Sequence, residues 1–121
     1  MLTYKNNDPY IEGTSLYDLV KVCQTPFYVY SQEKIINQIN KTKEILGNNI
    51  FYSIKSNSNQ AILKLMNSLD IGADVVSVGE LKRALEAGFD PNKIIFEGVG
   101  KSEQDLLYAI PVSYTHLRSH E

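Results

Sequence analysis

Between residues 50 and 110, short apolar runs alternate with stretches in which apolar residues recur every three or four positions. The runs at 50–54, 73–76 and 93–96 predict strands by their β-branched and aromatic content. Helices are predicted between and after them. Ile62, Leu63, Leu65, Met66 and Leu69 mark the first, Leu81, Ala84 and Leu85 the second, and Leu106, Leu107 and Ile110 the third. Ser77 with Glu80 has the pattern of a capping box for the second, Gly88 closes it, Asp90-Pro91 makes a turn, and Ser102 caps the third. Strands alternating with helices in this way predict an α/β fold of parallel strands joined by helical crossovers. Spacing does not choose between an open doubly wound sheet and an arc of a (β/α)8 barrel.

Residues 1–49 carry a different pattern. Leu2-Thr3-Tyr4 and Tyr10-Ile11 flank the turn-rich Asn6-Asn7-Asp8-Pro9 and predict a hairpin. Ser15, with Asp18 three positions on, opens a helix whose buried face is expected to hold Leu16, Leu19, Val20 and Cys23. Thr25-Pro26 ends it, and Phe27-Tyr28-Val29-Tyr30 predicts a strand. Ser31 caps a second helix with Ile35, Ile36, Ile39, Ile45 and Leu46 on its apolar face, and Gly47 closes it. The pattern fails again after Pro111. Residues 111–121 have no helical apolar face and read as a tail foreign to the fold. His116 and His120 lie there at metal-ligand spacing, but position 117 is Leu rather than the Glu of H-E-x-x-H and no third ligand is evident, so no metal site is predicted. The chain thus divides into a lead-in (1–49), three strand–helix units (50–110) and the tail (111–121).

Composition excludes several classes. Charged residues are 21% of the chain and the net charge is -2, which gives no electrostatic footprint for nucleic acid or an anionic membrane. No apolar run approaches the roughly 20 residues of a membrane span, and the first residues lack a signal-peptide core, so a cytoplasmic location is expected. Cys23 is the single cysteine; an internal disulfide is excluded and a buried structural thiol is expected.

Lys55 follows the first strand of the alternating region. In strand alternation Phe51, Ser53 and Lys55 share one face while Ile50, Tyr52 and Ile54 share the other, apolar one, which suits covering helices. Lys55 would then point into a barrel mouth at the C-terminal end of its strand, where barrel catalytic residues sit, with the small Ser53 leaving room for a flat ring. A partly desolvated lysine is an amine nucleophile able to bond to an aldehyde. On position alone, a lysine that merely emerges at a strand end is the better reading.

The neighbouring residues distinguish the two. Phe51-Tyr52-Ser53-Ile54-Lys55-Ser56-Asn57 resembles the cofactor-lysine motif F-Y-A-x-K-A-N of the fold-type III pyridoxal 5'-phosphate (PLP) decarboxylases, with serines at two alanine positions. Gly72-Ala73-Asp74-Val75-Val76-Ser77-Val78-Gly79-Glu80-Leu81 resembles that family's second motif, and Gly98-Val99-Gly100-Lys101 its third. Glu12-Gly13 through Thr25-Pro26-Phe27-Tyr28-Val29-Tyr30 is similar to the lead-in of the diaminopimelate decarboxylases. The resemblance covers about residues 3–110 and implies a partial (β/α)8 barrel, a β-rich domain to follow, PLP as cofactor and a homodimer. It implies Lys55 as the Schiff-base lysine and Asp74 as an acidic residue supporting the site from the second strand, although a structural carboxylate suits Asp74 nearly as well. Glu80 is read as a helix cap and Lys101 as a loop lysine near the barrel mouth.

The implied reaction is decarboxylation of meso-diaminopimelate to L-lysine. The alternatives are another basic amino-acid or polyamine-pathway decarboxylase of the same fold, or a non-catalytic PLP-binding barrel. A whole barrel takes about 250 residues and eight strands. The family's phosphate loop, pyridine-nitrogen acid, ring-stacking histidine and substrate-binding C-terminal residues have no counterpart here, and Cys23 is not the family's active-site cysteine. The chain is therefore expected to be an N-terminal piece, inactive alone.

Overall fold

A computed structural model describes residues 2–98, 101–110 and the backbone of 116–117. The chain forms two units, Met1–Ile45 and Leu46–Glu121.

In the first unit, β1 (Leu2–Lys5) and β2 (Asp8–Ile11) pair antiparallel, with Leu2 opposite Ile11 and Lys5 opposite Asp8. The expected hairpin is tighter than its four-residue cluster. Asn6 and Asn7 alone turn the chain, both at positive φ (50° and 65°), and Asp8 and Pro9 join the strand. A second two-residue turn, Glu12-Gly13, adds β3 (Thr14–Ser15), which the sequence reading did not anticipate. Helix α1 (Leu16–Val22) starts at Ser15, whose Oγ accepts from the Asp18 N–H (3.3 Å) and donates to Asp8 Oδ2 (2.7 Å).

Two expectations for this unit fail. The proposed apolar face of α1 is not buried: Val20 is 49% exposed and Cys23 is exposed. The helix has only seven residues, and Cys23 follows it in extended backbone, off the helical face. Nor do residues 27–30 form a strand. No described strand pairs with them, and strand propensity has effect only where a ladder partner exists. Helix α2 (Gln32–Leu46) forms as expected, with Ser31 Oγ accepting from the Lys34 N–H (3.0 Å) and Gly47 following at φ 77°. Ile35, Ile36 and Ile39 on it are only half-buried.

The second unit is a parallel sheet in the order β4 (Phe51–Ser53), β5 (Gly72–Val75), β6 (Ile94–Phe96), β7 (His116–Leu117). The first three strands are linked through α3 (Gln60–Ser68) and α4 (Val78–Glu86), and α5 (Glu103–Ala109) follows β6. The predicted strand–helix rhythm is therefore present. Ala73, Val75, Ile94 and Phe96 pack with Leu63, Leu81 and Ala84, all at most 1% exposed, and form the core on one face of the sheet. Burying side chains of this size contributes about 1.5–3 kcal/mol each for the larger ones. The other face carries Ser53, Asp74 and Ile95 in register, all only partly buried. Segment 111–121 places two residues in the sheet, His116 opposite Ile95 and Leu117 opposite Phe96. The rest of it, Pro111 and His120 included, lies outside the described residues.

Candidate active site

Strand β4 is shorter than expected. It ends at Ser53, and Ile54–Ser56 form a 3₁₀ turn, so Lys55 is placed by that turn and not by strand alternation. Ile54 is fully buried and holds the turn against the core, while Lys55 is exposed at the C-terminal end of β4. The desolvation expected for its amine is not provided by this chain's described residues. The expected location, at the strand's C-terminal end, is what the structure has.

The strand that leads to this turn and its neighbour β5 carry two unusual polar groups. Ser53 and Asp74 are register partners on adjacent parallel strands. Ser53 Oγ and Asp74 Oδ1 are both shielded from solvent, and neither has a hydrogen-bond partner among the described residues. An unmet buried polar atom costs about 1–3 kcal/mol, so this face favours a ligand that brings polar atoms to it. Among the described residues no ion pair joins Asp74 to Lys55.

The segment after Asp74 is fixed by a variant of the expected capping box. Ser77 Oγ accepts from the Glu80 N–H (3.2 Å), but Glu80 Oε2 accepts from the Val76 N–H (2.9 Å), one residue before the cap. Lys101, after β6, donates to the Gly98 carbonyl (3.2 Å) and lies 5.2 Å over the Phe96 ring. Among the described residues no cluster of His, Cys, Asp or Glu could hold a metal, and no helix is long and apolar enough to cross a membrane.

Sequence reading missed how residues 57–59 are held. Asn59 caps α3, its Oδ1 accepting from the Ala61 N–H (2.9 Å), and Asn57 Oδ1 accepts from the Asn59 N–H (3.0 Å). The Asn-Ser-Asn cluster before an apolar-periodic segment was the available signal. Tyr52 Oη donates to the Asn57 carbonyl (3.2 Å) and Arg83 Nη1 to the Ser58 carbonyl (3.0 Å); nothing local in the sequence announces either.

The family model described as "Pyridoxal-dependent decarboxylase, pyridoxal binding domain" matches residues 32–118, which include the Lys55 turn, Asp74 and part of segment 111–121. The diaminopimelate decarboxylase of Aquifex aeolicus is 38% identical over 110 residues, 90% of this chain and 26% of that protein. That of Campylobacter jejuni is 43% identical over 100 residues, 78% of this chain and 25% of that protein. The crystal structure of Helicobacter pylori diaminopimelate decarboxylase complexed with L-lysine aligns at a TM-score of 0.75 and 40% identity, over 81% of this chain and 26% of that one. The chain spans about a quarter of the length of the curated relatives it matches.

Proposed function

The chain belongs to the pyridoxal-dependent decarboxylase family, through that family's pyridoxal-binding domain, and we propose that it is the part of a diaminopimelate decarboxylase that holds PLP on Lys55. The observation that carries this reading is an exposed lysine on a turn at the C-terminal end of β4, two residues after Ser53, on a sheet in which Ser53 and its register partner Asp74 each hold a buried polar atom without a partner among the described residues. Lys55 Nζ would hold the cofactor through its aldehyde carbon, with loss of water. Ser53 Oγ offers it a hydrogen-bond donor and Asp74 a carboxylate. When bound, PLP supplies the electron sink that accepts the pair left behind as CO2 departs from the amino acid.

The remaining work belongs to the chain's own residues. The Lys55 turn fixes where the amine stands at the strand end. When not holding the cofactor, Lys55 Nζ would be free at the same strand end to hold and deliver a proton. The covered face, packed with Val75, Ile94 and Phe96, keeps water from the sheet's underside.

The finer fold follows the same reading. With helices on one face and Ser53, Asp74 and Ile95 on the other, the parallel sheet suits the opening arc of a (β/α)8 barrel whose interior is the polar face. A cytoplasmic homodimer is part of this proposal, on the family resemblance of the motifs. The experiment is CO2 release by the natural reading frame that carries this chain, offered meso-diaminopimelate, L-ornithine and L-arginine in turn. Turnover of meso-diaminopimelate with little on the other two is expected. Preference for ornithine or arginine overturns the substrate; no turnover of any, with PLP bound, overturns the enzyme.

A further inference from the structure

The residues on either side of Lys55 are held unequally. On the N-terminal side Ile54 is anchored by complete burial. On the C-terminal side, residues 57–59 are only half-buried or exposed, and hydrogen bonds do the holding. The Tyr52 hydroxyl reaches past the whole turn to the Asn57 carbonyl, and the Arg83 guanidinium reaches from α4 to the Ser58 carbonyl. Gln60 Nε2, at the start of α3, donates back to the Arg83 carbonyl (3.1 Å) and to Glu86 Oε2 (3.2 Å), so α3 and α4 are tied in both directions. A single 3₁₀ turn has poor internal hydrogen-bond geometry and depends on such bracing.

Resting on the reading of Lys55 as the cofactor lysine, we propose that Tyr52 and Arg83 are positioning residues for it. Tyr52 closes a bridge over Ile54-Lys55-Ser56. Arg83 links the loop that follows Lys55 to the helix that follows Asp74, so the two sides of the site are set relative to each other. Neither side chain need touch the cofactor. The amine sits on a flexible stem, and a small drift of its Cα is enough to spoil covalent capture.

The test uses the natural reading frame that carries this chain, with Tyr52→Phe, Arg83→Gln, Arg83→Lys and Lys55→Ala. Three quantities are read: the PLP dissociation constant from the absorbance of the protein-bound chromophore, the pH midpoint of that absorbance, and the melting temperature of the PLP-free protein. Loss of one neutral hydrogen bond of about 1 kcal/mol should weaken PLP binding about fivefold in Tyr52→Phe. Arg83→Gln should weaken it similarly, and Arg83→Lys, which keeps a cationic donor, should recover part of the loss. A purely structural role would lower the melting temperature and leave the other two readings at parental values. Parental PLP affinity and pH midpoint in Tyr52→Phe and Arg83→Gln, or in Arg83→Gln alone where Tyr52→Phe does not fold, overturn the proposal. Arg83 is exposed, so its variant remains informative if Tyr52→Phe does not fold. A bound chromophore that persists in Lys55→Ala overturns the underlying reading instead.

Discussion

Gly72 has no side chain where a side chain would have nowhere to go. A Cβ there would lie 2.6 Å from Cε1 of the Phe51 ring and 2.9 Å from the Lys93 carbonyl oxygen. The ring can move but the backbone carbonyl of the next strand region cannot, so Gly72→Ala should destabilise the second unit by about 1–3 kcal/mol, measured by urea unfolding. Pairing it with Phe51→Leu should recover only part. Full recovery would mean that the ring alone sets the requirement. Cys23 makes the opposite point. A three-four spacing suggested a buried thiol, but the helix stops one residue short and leaves it exposed. In the 121-residue chain it should react with a thiol reagent nearly as fast in native buffer as in denaturant; strong native protection would contradict its placement. The motifs that single out Lys55 and Asp74 are local and can be read from the sequence alone. The pairing of Ser53 with Asp74 was not, since register between strands separated by a helix is written nowhere in either strand.

At the scale of elements, helix starts were the most readable feature, because a cap is a local hydrogen bond between a side chain and a backbone donor. Ser15, Ser31, Ser77 and Ser102 all cap as read. Ser77→Ala should cost about 1 kcal/mol in thermal unfolding. At Ser102 the box is reciprocal: Asp105 Oδ2 accepts from Ser102 Oγ (2.7 Å) and from its N–H (2.8 Å). The hydroxyl first, and the backbone N–H second, hold the Asp105 carboxyl below its usual range. A lowered folded value means that this carboxylate stabilises α5 above the ordinary aspartate pKa, and that the effect fades as pH falls through the lowered one. Ser102→Ala should move the Asp105 titration, followed by its carboxyl carbon shift, back toward the ordinary value; an unmoved midpoint would contradict the cap. Strands were less readable. Residues 27–30 have strand composition and no described ladder partner, and β4 stops where Ile54 turns into the core.

At the scale of the molecule, alternation of strand and helix sufficed to foresee a parallel sheet, because parallel pairing needs long crossovers. Spacing did not choose between an open sheet and a barrel, and the barrel expectation rests on motif resemblance alone. The chain spans about a quarter of the relatives it matches, and with added PLP it should release no CO2 from meso-diaminopimelate beyond PLP itself. Turnover abolished by Lys55→Ala would contradict that. Whether Lys55 is the residue that takes PLP is tested directly in the natural reading frame that carries this chain. The PLP-loaded protein is reduced with borohydride, digested and mapped by mass spectrometry. A phosphopyridoxyl adduct is expected on the peptide containing Ile54-Lys55-Ser56, lost in Lys55→Ala and kept in Lys101→Ala. An adduct on Lys101, Lys64 or Lys82, with Lys55→Ala fully active, would contradict it.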